Sequence, residues 1–125
     1  MLVFVHHVRP GRHKEYEALM TEIWGTALNK VARSGNQLWA WTLAARRDLV
    51  PLTSPSKDST TTYVYLIDPA PPQFFSDTGT FPQSLLIEAG YSREQADSLD
   101  RRLDATVSAW HFYPRVQRPF GGAQP

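Results

Sequence analysis

The stretch Leu2-Val3-Phe4-Val5-His6-His7-Val8-Arg9 decides the fold of this chain. Apolar side chains occur at both odd and even positions, so a strand formed here would be apolar on both faces. The sequence therefore predicts a buried, central β-strand over residues 2–9. Pro10-Gly11 ends that strand, because proline lacks a backbone donor and glycine favours a turn.

Residues 12–33 carry apolar side chains at helical spacing and predict an amphipathic helix. The stripe consists of Tyr16, Leu19, Met20, Ile23, Ala27, Leu28 and Val31. Ser34-Gly35-Asn36 ends the helix, with Gly35 suited to the left-handed position just beyond a helix C-terminus.

Two further strands are predicted from alternation and β-propensity. Residues 38–43 place Trp39 and Trp41 between smaller residues, and residues 60–67 are rich in Thr, Tyr and Val. The segment between them, residues 52–59, holds Pro55 among small polar residues and is expected to be a mobile hairpin loop.

The second half predicts helical segments followed by a last strand. Residues 73–76 suit one helical turn, and residues 82–89 suit a short helix. Ser92 and Gln95 have the spacing of a capping box, which predicts the start of a longer helix. The apolar stripe of that helix consists of Ala96, Leu99, Leu103 and Val107. Residues 110–116 alternate as a strand. The predicted domain covers residues 1–117, and residues 118–125 form a flexible tail.

The resulting order βαββαβ predicts an α+β, ferredoxin-like fold. In it, a four-stranded antiparallel sheet carries both helical layers on one face, and the first and third strands are central. The opposite face would expose Val3, Val5 and Tyr113, so we expect a second copy of the sheet to cover it in a homodimer.

Composition limits the classes of partner. A length of 125 residues and an apolar fraction of 42% suit one globular domain, and a formal charge of +1 gives no basic patch for nucleic acid. No apolar run is long enough for a membrane span, no signal peptide is visible, and a cytoplasmic location is expected. The absence of cysteine excludes disulfides, thiol nucleophiles and thiolate metal sites.

The segment Arg9-Pro10-Gly11-Arg12-His13-Lys14-Glu15-Tyr16-Glu17 resembles the strand-to-helix entry of the dimeric α/β-barrel superfamily. In that superfamily two ferredoxin-like subunits press their sheets together into a barrel. Its members include cofactor-independent antibiotic-biosynthesis monooxygenases, haem-degrading enzymes and polyketide cyclases. The resemblance implies a dimeric barrel of the monooxygenase type.

Two related functions are disfavoured by particular residues. Haem degraders of the superfamily use an Asn on the first strand, a Trp on the third and a His on the second helical segment. This chain has His6, His7, Tyr63 and Tyr65 on those strands, and no histidine between Asp68 and Ala109. An RNA-recognition domain would need aromatic and glycine signatures that residues 60–67 lack.

Histidines on the first and last strands are the catalytic candidates. His6 and His7 point to opposite sheet faces, and antiparallel pairing brings the end of the first strand beside His111. The pattern assigns His6 to the space between sheet and helices, where relatives in the superfamily hold ligands, and His7 with His111 to the open face. A buried histidine there could act as a general base, although histidines bonded to backbone or tyrosine groups in the core remain the plainer interpretation.

Aromatic residues are the substrate-binding candidates, with tyrosines to orient a flat apolar molecule. They are Phe4, Trp24, Tyr63, Tyr65, Phe74, Phe81, Trp110 and Tyr113. Asp97, Asp100 and Asp104 recur on a helix surface and are expected to serve solubility. No residue spacing predicts a metal site, and no cofactor is expected.

The leading hypothesis is a small cofactor-independent enzyme, an oxygenase, cyclase or isomerase, acting on an aromatic or polyketide-like molecule. The alternative is a non-catalytic ligand-binding or oligomer-forming protein of the same fold. Because one fold hosts many functions, the sequence does not name the substrate.

Overall fold

The computed structural model describes residues 1–53, 60–75 and 82–114. Its elements in chain order are β1 (Leu2–Val8), α1 (His13–Met20), a π-helical segment (Thr21–Ala27), α2 (Leu28–Arg33), α3 (Gln37–Ala45), β2 (Arg46–Asp48), β3 (Leu52–Thr53), β4 (Thr61–Ile67), a 3-10 turn (Pro72–Phe75), α4 (Gln83–Glu88), α5 (Arg93–Thr106) and β5 (Val107–Pro114).

The sheet is antiparallel, with the strand order β2-β4-β1-β5. The short strand β3 pairs with β4 on the same edge as β2, so the two act as one interrupted strand and the sheet is four strands wide. Strands β1 and β4 are central, as predicted. The chain is therefore an α+β protein with ferredoxin-like topology, which confirms the predicted fold class.

The two faces of the sheet differ in burial. On the helix side, Leu2 and Val8 at the two ends of β1 are fully buried. Ile67 on β4, the cross-strand partner of Leu2, is buried as well. On the other side, Val3 and Val5 are half-buried. The helices therefore cover one face and leave the other open within the single chain.

The predicted helix over residues 12–33 is confirmed, and its whole apolar stripe is buried. The π-helical segment in its middle was not predicted. Two carbonyls of that segment accept hydrogen bonds from side chains: Trp24 from Arg46, and Gly25 from Asn29 Nδ2 at 2.8 Å. These side-chain donors therefore supply hydrogen bonds to the two carbonyls where the backbone pattern changes from α-helix to π-helix.

The strand predicted over residues 38–43 is wrong, because these residues lie in helix α3. The Asn36 side chain accepts a hydrogen bond from the Trp39 backbone N–H at 3.2 Å and caps the helix. Trp39, Thr42 and Ala45 are buried at a spacing of three, so helical periodicity decides the segment. The spacing of two between Trp39 and Trp41 imitated a strand.

The second strand of the sheet is instead formed by β2 and β3. The prediction of a loop over residues 52–59 is consequently wrong for Leu52–Thr53, which pair with β4. Residues 54–59, the remainder of that predicted mobile loop, lie outside the described residues.

The second half agrees with the predicted elements except at the last strand. The 3-10 turn, α4 and the capping box of Ser92 and Gln95 are all present. Strand β5 begins at Val107 rather than at residue 110, because Val107 is extended and pairs with Val8. Val107 was assigned to the helix stripe and is instead a buried strand residue. The last two residues of the predicted strand and the predicted tail lie outside the described residues.

Candidate functional site

A cavity of about 400 Å³ lies between the sheet and the helices. Its volume falls within the range of small-molecule sites, which runs from about 300 to 1,000 Å³. It is lined by side chains from the sheet, the π-helical segment, α3 and α5. The lining residues Asp104 and Trp110 are exposed, so they mark its opening.

Aromatic rings form the apolar wall of the cavity. Phe4 on β1 lies between its cross-strand neighbours Tyr65 and Phe112, and all three line the cavity with Trp24. The rings of Phe4 and Phe112 meet edge to face with centroids 5.1 Å apart. Of the predicted substrate-binding residues, Phe4, Trp24, Tyr65 and Trp110 thus reach the cavity.

His6 lies in this wall at the end of a hydrogen-bonded chain of tyrosines. Its Nδ1 is 2.5 Å from the Tyr16 hydroxyl, which donates to the Tyr65 hydroxyl at 3.1 Å. Because a tyrosine hydroxyl has one proton, Tyr16 must accept from Nδ1–H. The neutral imidazole then keeps a lone pair on Nε2, which forms no hydrogen bond within the part of the chain that the structure describes.

Burial sets the protonation state of this chain. It lowers the pKa of His6 to about 4, with a smaller contribution from the positive charge of neighbouring His7. The pKa values of Tyr16 and Tyr65 are raised, chiefly by burial. At neutral pH the three groups are therefore uncharged, and His6 can accept a proton.

Arg46 supplies a fixed cation beside these rings. Its Nε and Nη2 donate to the two carboxylate oxygens of Asp48 at 2.8 and 3.1 Å, while Nη1 donates to the carbonyl of Trp24. The guanidinium lies over the Tyr65 ring, 5.4 Å from its centroid. Arg46 lines the cavity, but its charge is balanced by Asp48. Arg46 is not among the site residues predicted from the sequence.

Helix α5 contributes an acidic wall. Asp100, Leu103 and Asp104 line the cavity at the spacing of one helix face, and Val107 at the start of β5 lines it beside them. Gln83 also lines it and donates from Nε2 to Asp100 Oδ2 at 2.8 Å. The assignment to a helix surface holds for Asp104, which is exposed, but Asp100 is partly buried and both line the cavity, a position that the sequence did not predict.

The other two predicted catalytic histidines lie on the open face. His7 Nδ1 is 3.0 Å from the Thr62 hydroxyl, and the His7 and His111 rings meet with centroids 5.6 Å apart. Tyr113 stacks on His111 at 5.9 Å. The sheet therefore separates His7, His111 and Tyr113 from His6 and the cavity.

Besides Tyr113, three further predicted substrate-binding residues are not placed at the cavity. Tyr63 is buried against Tyr16, with ring centroids 4.5 Å apart, and burial raises its pKa to about 12. Phe74 is fully buried and meets Trp39 edge to face at 5.9 Å, so it belongs to the core. Phe81 lies outside the described residues.

Metal sites and membrane-spanning helices are both absent from residues 1–53, 60–75 and 82–114. Within these ranges, no three His, Asp or Glu side chains come together as a set that could hold a metal ion. No helix in the same ranges has both the length and the apolar character needed to cross a bilayer.

Comparison with known proteins gives one structural similarity to report. No family model and no curated protein matches the chain. An uncharacterized NIPSNAP domain protein from Burkholderia xenovorans is similar in structure, with a TM-score of 0.42 and 12% identity over 96% of this chain and 100% of that chain.

Proposed function

We propose that the protein is a small cofactor-independent enzyme that removes a proton from an aromatic or polyketide-like molecule bound in the cavity. His6 is the proton acceptor. The observation that carries this proposal is a neutral imidazole in the aromatic wall of a 400 Å³ cavity, with an Nε2 that has no hydrogen-bond partner among the described residues.

The tyrosine chain gives His6 its orientation and its tautomer. Tyr16 holds Nδ1–H, so the ring cannot turn without losing that hydrogen bond. After Nε2 has accepted a proton, the imidazolium can still donate through Nδ1 to Tyr16, and Tyr16 to Tyr65. The aromatic wall limits water around the base, which supports proton transfer to the ring.

The low pKa of His6 makes proton transfer from a weakly acidic substrate unfavourable. Transfer from a simple phenol, with a pKa of about 10, to a base of about 4 is uphill by roughly 8 kcal/mol. A carbon between two carbonyl groups, as in a polyketide, is a comparably weak acid, because its anion is delocalised over two oxygens much as a phenolate is over its ring. The bound state must therefore stabilise the anion of either kind of substrate, and the pKa of His6 leaves an oxygenase, a cyclase and an isomerase equally open.

The second candidate is a non-catalytic ligand-binding protein of the same fold. It is favoured by the same pKa, because a base of about 4 is far from the value near neutrality that suits general-base catalysis. In that case Nε2 would accept a hydrogen bond from a ligand hydroxyl without taking its proton.

The proposal includes a homodimer of the dimeric α/β-barrel type. Its support is the open sheet face, where Val3, Val5, Val64 and Leu66 remain only half-buried in the single chain. A second sheet packed against them would remove this apolar surface from water. His7, His111 and Tyr113 would then lie at the interface.

Hydrogen–deuterium exchange at carbon tests proton removal without knowledge of the complete reaction. A panel of 1,3-dicarbonyl acids would be incubated with the protein in D2O, and loss of the carbon-bound proton followed by NMR. His6→Gln should slow the exchange by roughly a hundredfold or more. His7→Gln, on the opposite face of the same strand, should retain most of it.

Equal exchange rates for the parent protein and His6→Gln would show that His6 is not the base. If a panel member binds with no exchange above that in buffer, the ligand-binding alternative replaces the enzyme. Mass spectrometry of small molecules retained through purification would identify ligands to add to the panel.

A further inference from the structure

We propose that the molecule bound in the cavity carries a protonated amine, which binds against Asp100 and Asp104 on α5. This inference rests on the proposed function, because both need a ligand in the same cavity. It goes further by naming a charged group that the ligand must carry and the residues that would recognise it.

The position of the two carboxylates is unfavourable for the helix itself. Asp100 and Asp104 are four residues apart, where like charges on a helix repel each other. Asp104 also lies two residues before Thr106, the end of α5, where the helix dipole disfavours negative charge. The hydrogen bond from Gln83 to Asp100 offsets part of this cost, and a cationic ligand would be stabilised by both carboxylates.

Within the described ranges, neither carboxylate has a cationic partner. The only ion pairs there are Arg12 with Glu15 and Arg46 with Asp48, so the nearby cation of Arg46 is already paired. Asp100 receives a hydrogen bond from the neutral amide of Gln83. Burial raises the pKa of Asp100 and the charges of Asp104 and Asp97 raise it further, while the Gln83 hydrogen bond and the charge of Arg101 only partly oppose them.

The oxygen of the same amide also lacks a donor in the part of the chain that the structure describes. Gln83 Oε1 is buried and has no hydrogen-bond partner there, although its side chain lines the cavity. A buried acceptor without a donor costs about 1–3 kcal/mol. An ammonium group has three N–H donors, so it can serve two carboxylates and an amide oxygen together.

The remainder of the wall suits the rest of such a ligand. Phe4, Trp24, Trp110 and Phe112 present aromatic surface to a flat apolar body, and aromatic faces also attract an organic cation. A hydrated metal ion would gain little from this wall. The combination of acidic and aromatic side chains therefore points to an aromatic amine-bearing compound rather than to an inorganic cation.

Two probes of the same shape test the charge requirement. 2-Naphthylmethylamine and 2-naphthylmethanol differ in charge but share the aromatic body, and each would be titrated into the 15N-labelled full chain at pH 7.5. Dissociation constants come from amide shifts, and the β5 amides report on occupancy of the cavity. The variants are Asp100→Asn with Asp104→Asn, and Asp97→Asn as a control on the same helix whose side chain does not line the cavity.

We expect the amine to bind roughly tenfold more tightly than the alcohol. The double variant should abolish that preference while keeping a folded spectrum, and Asp97→Asn should retain it. Equal affinities in the parent protein, or a preference that survives the double variant, would overturn this inference but leave the proposed function standing. Binding of neither probe at millimolar concentration would count against both, and α5 shifts caused by calcium but not by the amine would replace the amine with a metal ion.

Discussion

Replacement of His6 by glutamine should remove a large part of the acid sensitivity of the fold. Burial holds the pKa of His6 at about 4 in the folded chain, against 6.5 for the exposed group. Between these values the unfolded chain binds a proton that the folded chain does not, so stability falls as the pH falls from 6.5 towards 4. The full difference is worth about 3 kcal/mol.

Most of this loss should be visible in an accessible pH range. Between pH 7.5 and pH 4.5 the His6 contribution to the free energy of unfolding should fall by about 2.5 kcal/mol. The assay is urea unfolding at the two pH values, at one protein concentration, followed by tryptophan fluorescence. The raised pKa of Asp100 acts in the opposite direction, but equally in all the proteins compared.

His6→Gln should therefore lose about 2.5 kcal/mol less than the parent protein on acidification. His7→Gln is the matched control, because it leaves His6 buried and should keep most of the parent's loss. If His6→Gln and the parent lose the same free energy between the two pH values, His6 is not held neutral by burial. His6 would then lack the burial-enforced neutral state on which its proposed role as proton acceptor depends.

Three further outcomes are expected. Asn36→Ala should lower the free energy of unfolding by about 1 kcal/mol, because it removes the cap of α3, whereas exposed Gln37→Ala should change it little; urea unfolding measures both. Light scattering should find a dimer that Val5→Asp converts to a folded monomer, and a monomeric parent would contradict the proposed interface. The affinity of the amine probe should fall on acidification, and it should begin to fall at a higher pH than for an exposed aspartate because burial raises the pKa of Asp100; an affinity that stays constant down to the onset of acid unfolding would contradict its role.

The central strands could be predicted because their own residues decide them. The open face of β1 carries Val3 and Val5, and the helix face carries Leu2 and Phe4, so the strand suits only a position between two neighbours. The placement of His6 on the helix face then followed from simple alternation. No knowledge of distant contacts was needed for either prediction.

Helix α3 could not be assigned from alternation alone. A spacing of two between tryptophans fits a strand, and the same segment also has a burial period of three. Asn36 was the available signal, since it is a favoured helix cap, but the segment Ser34-Gly35-Asn36 also fits the end of the preceding helix. Capping residues near a turn therefore have to be tested for the helix that follows as well as the one that precedes.

The acidic wall of the cavity was missed for a different reason. A charged residue on a helix gives the same sequence pattern whether its face meets solvent or an internal cavity. The useful signal was that Asp100 and Asp104 flank Leu103, a member of the apolar stripe, so they lie close to the buried face. Arg46 gave no such signal, because its partners Asp48 and Trp24 come together only through the sheet edge and the π-helical segment.

The sheet itself shows how stability and a cavity coexist on one face. Leu2 and Val8 at the ends of β1 are fully buried, whereas Phe4 and His6 between them line the cavity. Apolar burial at the two ends fixes the strand, so the middle residues are held in place without being packed solid. Filling that space with larger apolar side chains would be expected to stabilise the fold, whereas the neutral histidine and the two carboxylates, which form no ion pair with a described residue, are the groups that the proposed ligand would contact.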